Sequence, residues 1–141
     1  MAVHEVRIEE DFAAPREKIF AFLTEPSKLT KVWACRFERT RDGEGEPNGV
    51  GSIRRIKVAG VAFEETVTAY QRPSLIEYVK TTGDATKGHK GRMEFTDLPD
   101  GGTHLVYTMS FEPRVALAGR VFAGLLKARW NKGVVNILPN L

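Results

Sequence analysis

The sequence predicts an α+β domain: an antiparallel sheet packed on one long C-terminal helix. Two observations carry this. The stretch from Glu112 to Pro139 alone repeats apolar residues at spacings of three, four and seven over several turns. Nearly everything upstream of it reads as strand, and a helix this broadly apolar needs a cover.

Val3 to Phe12 alternates, with Val6, Ile8 and Phe12 on one face and Arg7, Glu9 and Asp11 on the other, which is a half-buried strand. Ala14 to Leu23 follows as a short helix, with Pro15 near its first turn and Ile19, Phe20 and Leu23 as its apolar stripe. Thr24 to Ser27 breaks it, and Ser27 to Lys31 fits a further helical turn. Trp33 to Arg41 reads as a strand, ended by a turn-rich loop from Asp42 to Gly49.

Val50–Val58 and Val61–Ala69 read as a β-hairpin closed by Ala59-Gly60. With that turn, Val58/Val61, Ile56/Phe63, Arg54/Glu65, Ser52/Val67 and Val50/Ala69 oppose one another and share a face. This is the inner face by composition, yet it carries the charge pair Arg54 and Glu65. Arg55, Lys57 and Glu64 then face solvent, and a one-residue slip would misplace the whole set. Leu75–Thr82 is the next strand, with Ile76, Tyr78 and Lys80 on one side, after Pro73. His89–Phe95 alternates with His89, Gly91, Met93 and Phe95 inward, and Arg92 and Glu94 outward. Leu98 to Gly102 is a turn, and Thr103–Phe111 places Leu105, Tyr107, Met109 and Phe111 inward. In the terminal helix Leu117, Val121, Leu125, Ala128 and Val135, flanked by Phe122, Leu126, Trp130, Val134 and Ile137, form the expected core face. Pro113 suits its start and Pro139 its end. Gly119, Gly124 and Gly133 cost about 1 kcal/mol each in a helix, so close backbone approach or a bend near Gly119 is expected.

The totals fit one soluble domain over residues 1–141, with 42% hydrophobic and 28% charged residues. A net charge of +3, from 21 basic and 18 acidic residues, is too balanced to call for a nucleic-acid or membrane partner. One cysteine, Cys35, excludes an internal disulfide; no signal peptide or membrane span is read, and a cytoplasmic location is expected. His4, His89 and His104 lie far apart and Cys35 stands alone, so no metal site is expected, and no cofactor motif occurs. No nucleophile elbow or phosphate-cradling glycine motif is present either. Arg114, Arg120, Lys127, Arg129 and Lys132 read as a solvated helix face rather than a stripe for anionic lipid or RNA.

The order of punctuators resembles the START-like (SRPBCC) superfamily, and within it the polyketide cyclase/dehydrase-type proteins. The matching signposts are Phe12, Pro15 and Phe20; Pro26 with Trp33; Gly49, Gly51 and Arg54-Arg55; and Glu65 with Val67. Pro73 with Tyr78, Gly91, Gly101-Gly102-Thr103 and the terminal helix complete them, across essentially the whole chain. The resemblance implies a helix-grip fold: a seven-stranded antiparallel sheet curled around the helix, with an elongated cavity between them. His89 stands where relatives often carry tyrosine, and Lys80 where an apolar inward residue is usual, so the lining is more polar.

Three function classes stay open. The leading one is a binding module enclosing a hydrophobic or aromatic small molecule, lipid or polyketide-like, between sheet and helix. Arg54, Phe63, Glu65, Val67, Tyr78, His89, Gly91, Met93, Tyr107, Met109, Val121 and Leu125 are its expected contacts. The second is a cyclase or dehydratase in which His89 with Glu65 removes a proton beside a ketone while Arg54 or a tyrosine stabilises the enolate oxygen. The third is a regulatory protein acting through its surface. A monomer or homodimer without cofactor serves all three.

Overall fold

A computed structural model describes residues 3–82, 87–112 and 116–141. Part of the loop expected after Thr82 (83–86), the helix start at Pro113, Arg114 and the side chain of Leu117 lie outside what is described. The chain runs β1 (His4–Phe12), α1 (Arg16–Thr24), α2 (Pro26–Trp33), β2 (Arg36–Arg41), β3 (Ile53–Val58), β4 (Val61–Gln71), β5 (Leu75–Thr82), β6 (Lys87–Asp97), β7 (Thr103–Glu112) and α3 (Ala116–Gly133). Two short 3-10 turns, Val134–Asn136 and Leu138–Asn140, complete it.

The seven strands form one antiparallel sheet in the order β1-β7-β6-β5-β4-β3-β2. From β2 to β7 each strand pairs with its successor, while β1 pairs with β7, so α1 and α2 carry the chain from one sheet edge to the other. This is the helix-grip fold. Residue alternation sets the inner face: Thr103, Leu105, Tyr107, Met109 and Phe111 are buried and their neighbours in β7 half-buried. Phe20 of α1 packs edge-on against Phe95, and Trp33, Tyr107 and Trp130 form a ring cluster joining α2, β7 and α3.

The β3–β4 hairpin has the register expected of it: Arg54 opposes Glu65, Ile56 opposes Phe63 and Val58 opposes Val61. Ala59 and Gly60 both have positive φ, as a type I′ turn requires. Arg55 and Lys57 are exposed as expected, as is Arg92, while Glu64 and Glu94 are half-buried. The ends of the inner row differ. Val61 is exposed rather than inward, because the tip of the hairpin runs past the elements that cover its middle. Val50 is exposed too: Gly49–Gly51 turns there, with Gly51 at φ 88°, and the pairing ends on the bonds from Val67 N–H to Ser52 O and from Gly51 N–H to Val67 O.

The strand expected from Trp33 starts only at Arg36. Pro26 sits in the first turn of α2, and Leu29, Val32 and Trp33 are buried along it, so packing extends this helix through Trp33 until Ala34 ends it in the left-handed region.

The largest correction concerns α3. Trp130 is fully buried, and Phe122 and Leu126 are half-buried against the core. Val121, Leu125, Ala128 and Val135, the stripe expected to seal the sheet, are exposed. Gly133 is pressed against another backbone: a Cβ there would run into the Val32 carbonyl. A Cβ at Gly124 would meet nothing. No helix among the described residues is long and apolar enough to cross a membrane.

Candidate functional site

A cavity of about 250 Å³ lies between the inner face of the sheet and the helices. The sheet supplies Arg54 and Ile56 from β3, Phe63 and Glu65 from β4, Tyr78 from β5, His89 and Met93 from β6, and Tyr107 and Met109 from β7. Period-two alternation is what aims these side chains the same way. Leu29 and Trp33 of α2, Cys35, Phe37 of β2, and Phe122, Leu125, Leu126 and Arg129 of α3 close the opposite side, with Val58 beside them at the hairpin tip.

The charged groups gather in one cross-strand row. Arg54 and Glu65 are directly opposed, with Nε 3.6 Å from Oε1, and both are buried. The other carboxylate oxygen of Glu65 lies 3.5 Å from Nε2 of His89, which is also buried. Lys80, half-buried, is the register partner of Glu65 on its other side. The guanidinium of Arg54 stands over the Tyr78 ring, 4.8 Å from its centre. Arg54 Nε and His89 Nδ1 are buried with no hydrogen-bond partner among the described residues.

The hydroxyls of Tyr78 and Tyr107 hydrogen-bond to each other. Burial pushes both phenols above their ordinary range; the charge of Glu65 adds to the rise and the nearby Arg54 opposes it. Both stay neutral donors at physiological pH. Burial also pushes the Cys35 thiol up, against the influence of Arg129, so Cys35 is a wall residue and not a poised thiolate. Arg129 donates from Nη1 to the Trp33 carbonyl at 2.7 Å and ties α3 to the end of α2 at the cavity edge.

Of the contacts expected from sequence, Arg54, Phe63, Glu65, Tyr78, His89, Met93, Tyr107, Met109 and Leu125 line the cavity. Val67 is buried in the core beyond it, and Val121 faces outward. Gly91 does not leave room for a ligand, because the Tyr78 ring lies across the position its Cβ would take. Leu29, Trp33, Cys35 and Phe37 had no sequence signal, since only the long-range return of α2 and β2 brings them here. Ile56 was legible: it shares the inner hairpin face with Arg54 and Phe63.

No group of three His, Cys, Asp or Glu side chains converges among the described residues. His104 lies on the outer side of β7, hydrogen-bonded through Nδ1 to Asp11 at 2.6 Å, and that bond raises its pKa. His4 stacks on Phe111.

Known proteins with this fold differ widely in sequence. Protein MLL2253 from Mesorhizobium loti superposes with a TM-score of 0.70 at 18% identity, covering 96% of this chain and 97% of that one. Ara h 8.0201 superposes with a TM-score of 0.62 at 14% identity, covering 95% and 99%. The Aha1 dimer from Colwellia psychrerythraea gives 0.65 at 16% identity, covering 92% and 96%. At these identities the likeness is one of fold alone. No curated protein matches the sequence. The family model for polyketide cyclase/dehydrase and lipid transport matches residues 3–138, and the chain, with its helix-grip architecture and a cavity between sheet and helices, belongs to that family.

Proposed function

We propose that the protein binds a hydrophobic or aromatic small molecule, lipid or polyketide-like, in the cavity between sheet and α3. The observation that carries this is the division of the wall. Aromatic and aliphatic side chains surround most of the space, while Arg54, Glu65 and His89 stand together on the sheet side. An apolar body and a polar end are thus received in different places, as in small-molecule sites generally. An engineered apolar cavity of about 150 Å³ takes benzene. The cavity here, about 250 Å³, suits a body larger than one ring.

The test is titration with N-phenyl-1-naphthylamine, followed by fluorescence. One saturable site per chain is expected. Met109→Trp, which puts a larger side chain into the cavity, should weaken the probe at least about tenfold, or 1.4 kcal/mol. The absence of saturable binding by the folded protein, or unchanged affinity in Met109→Trp, overturns the reading.

One arrangement favours a second reading, an acid–base enzyme of cyclase or dehydratase type. Glu65 faces Nε2 of His89 and holds the ring, while Nδ1 has no partner among the described residues. The proton leaving a carbon beside a ketone would pass to His89, and the enolate oxygen would accept from Arg54 or a tyrosine hydroxyl. On this reading His89→Gln keeps binding the probe but loses turnover of a polyketide-like ketone; full turnover in the variant excludes it.

A further inference from the structure

α3 is apolar on two opposite sides. One side carries Trp130, Phe122 and Leu126 towards the core. On the other, Val121 is 56% and Leu125 58% exposed, and Ala128 beside them is also exposed. At 3.6 residues per turn these three fall within about 60° of one another, and Val121 stands roughly opposite Trp130. This second stripe does nothing for the packing of the helix on the sheet. The hairpin tip borders the same cavity: Leu125 and Val58 both line it, and Val61, 54% exposed, is the register partner of Val58.

The charges around the stripe are of one sign. Between Ala116 and Gly133 there is no Asp or Glu, while Arg120, Lys127, Arg129 and Lys132 are all exposed. Arg120 and Lys127 flank the stripe on one side, and Lys132 follows Ala128 one turn on; Arg129, on the other side, is held by its bond to the Trp33 carbonyl. Lys57 adds an exposed cation beside the hairpin tip. A second copy of the chain laid on this face would bring like charges together. An anionic lipid surface meets both features: the apolar stripe enters the acyl boundary and the long basic side chains reach back to the headgroups.

We infer that the outer stripe of α3, together with the β3–β4 hairpin tip, docks on an anionic lipid bilayer, with the cavity edge at Leu125 and Val58 turned towards it. The inference goes beyond the cavity reading and does not depend on it, because docking is read without any ligand.

The experiment is flotation of the full chain with phosphatidylcholine vesicles, with and without phosphatidylglycerol, at low salt and at about 1 M salt, where charges are screened beyond ~3 Å. The wild-type chain is expected to float with the phosphatidylglycerol vesicles at low salt and to lose them at high salt. Leu125→Glu and Val61→Glu should each cut the bound fraction about tenfold, the change expected when the burial of one aliphatic side chain is lost. Val50→Glu, at the far end of the same hairpin, should leave it unchanged. Lys127→Glu keeps the stripe intact and should also weaken flotation, which guards against a folding defect in the stripe variants. A cooperative urea transition retained by all four variants shows that the fold persists. Failure of the wild-type chain to float, or flotation of Leu125→Glu and Val61→Glu equal to wild type, overturns the inference. So does a solution dimer that Leu125→Glu dissociates, since the face would then belong to a second copy.

Discussion

The β3–β4 hairpin and α3 carry equally clear apolar patterns, but only in the hairpin does the pattern say what is buried. A strand has two faces, and the sheet already occupies both edges, so one alternation leaves a single way to face the core. That is why Arg54, Glu65, Ile56 and Val67 are buried in the row expected of them. A helix lying on a sheet has a full circumference, and α3 spreads apolar residues around more of it than the sheet can cover. The stripe at Val121, Leu125 and Ala128 satisfies helical period as well as the one at Phe122, Leu126 and Trp130, and period alone does not choose between them.

The sharpest way to break this comparison is to truncate one residue from each side of α3. Trp130 is fully buried, touches Trp33 and Tyr107, and donates from its indole nitrogen to Glu10 of β1 at 3.1 Å. Trp130→Ala should cost about 3–5 kcal/mol in urea denaturation. Leu125→Ala on the outer side should change stability by no more than about 0.5 kcal/mol. Comparable losses from both would mean that the outer stripe is covered after all.

Next in size is the charged row on the hairpin. Removing one partner of a fully buried ion pair costs about 3–5 kcal/mol, and less where a cavity admits water. The two removals should not be equal. Without Arg54, Glu65 still faces His89 at 3.5 Å. Without Glu65, Arg54 keeps the face of Tyr78 among the described residues. Glu65→Leu should therefore destabilise more than Arg54→Met, and the double variant should recover much of the larger loss. Additive losses in the double-mutant cycle would show that the pair is not coupled.

Much of the fold was legible in the sequence: the succession of strands and helices along the chain, the hairpin register and the inward row of β7 follow from alternation and punctuation. What was not legible depended on distant contacts. Trp33 belongs to a helix because α2 packs its buried side under α3, a contact set nearly a hundred residues away by Gly133 and Arg129. Gly91 looked like free space because glycine has no side chain, but its cross-strand neighbour Tyr78 lies over it. The polar part of the site was readable, since Arg54 and Glu65 stand out on an apolar face. The α2–β2 side of the wall was not, because nothing local marks Leu29 or Phe37 as cavity residues.

Glycines separate the two regions again at smaller amplitude. Gly91→Ala should push the Tyr78 ring off its bond to Tyr107 and cost about 1–3 kcal/mol, read as a lower urea midpoint. Gly124→Ala on α3 meets no atom and should gain about 1 kcal/mol from helix propensity. A gain at Gly91 or a loss at Gly124 would reverse the assignment of crowded sheet and open helix.

The smallest effect tests why the hairpin keeps its register although its tip is bare. Val58 and Val61 are exposed, so no core contact pins the last pair. The turn must do it: Ala59 has φ 50° and Gly60 φ 78°, the pair of positive values that matches the twist of the two strands. Alanine is an uncomfortable residue for that role, because its Cβ crowds the backbone in the left-handed region at a cost of roughly 1–2 kcal/mol. Asparagine tolerates the same conformation better and is favoured ahead of glycine in such turns. Ala59→Asn should therefore raise stability by a few tenths to about 1 kcal/mol. It should do so without altering the cavity, so affinity for N-phenyl-1-naphthylamine stays the same. Ala59→Val should do the opposite, since a β-branched side chain suits positive φ least. A neutral Ala59→Asn together with a neutral Ala59→Val would mean that the turn adapts freely, and that the strands alone, through Arg54 opposite Glu65 and Ile56 opposite Phe63, hold the register.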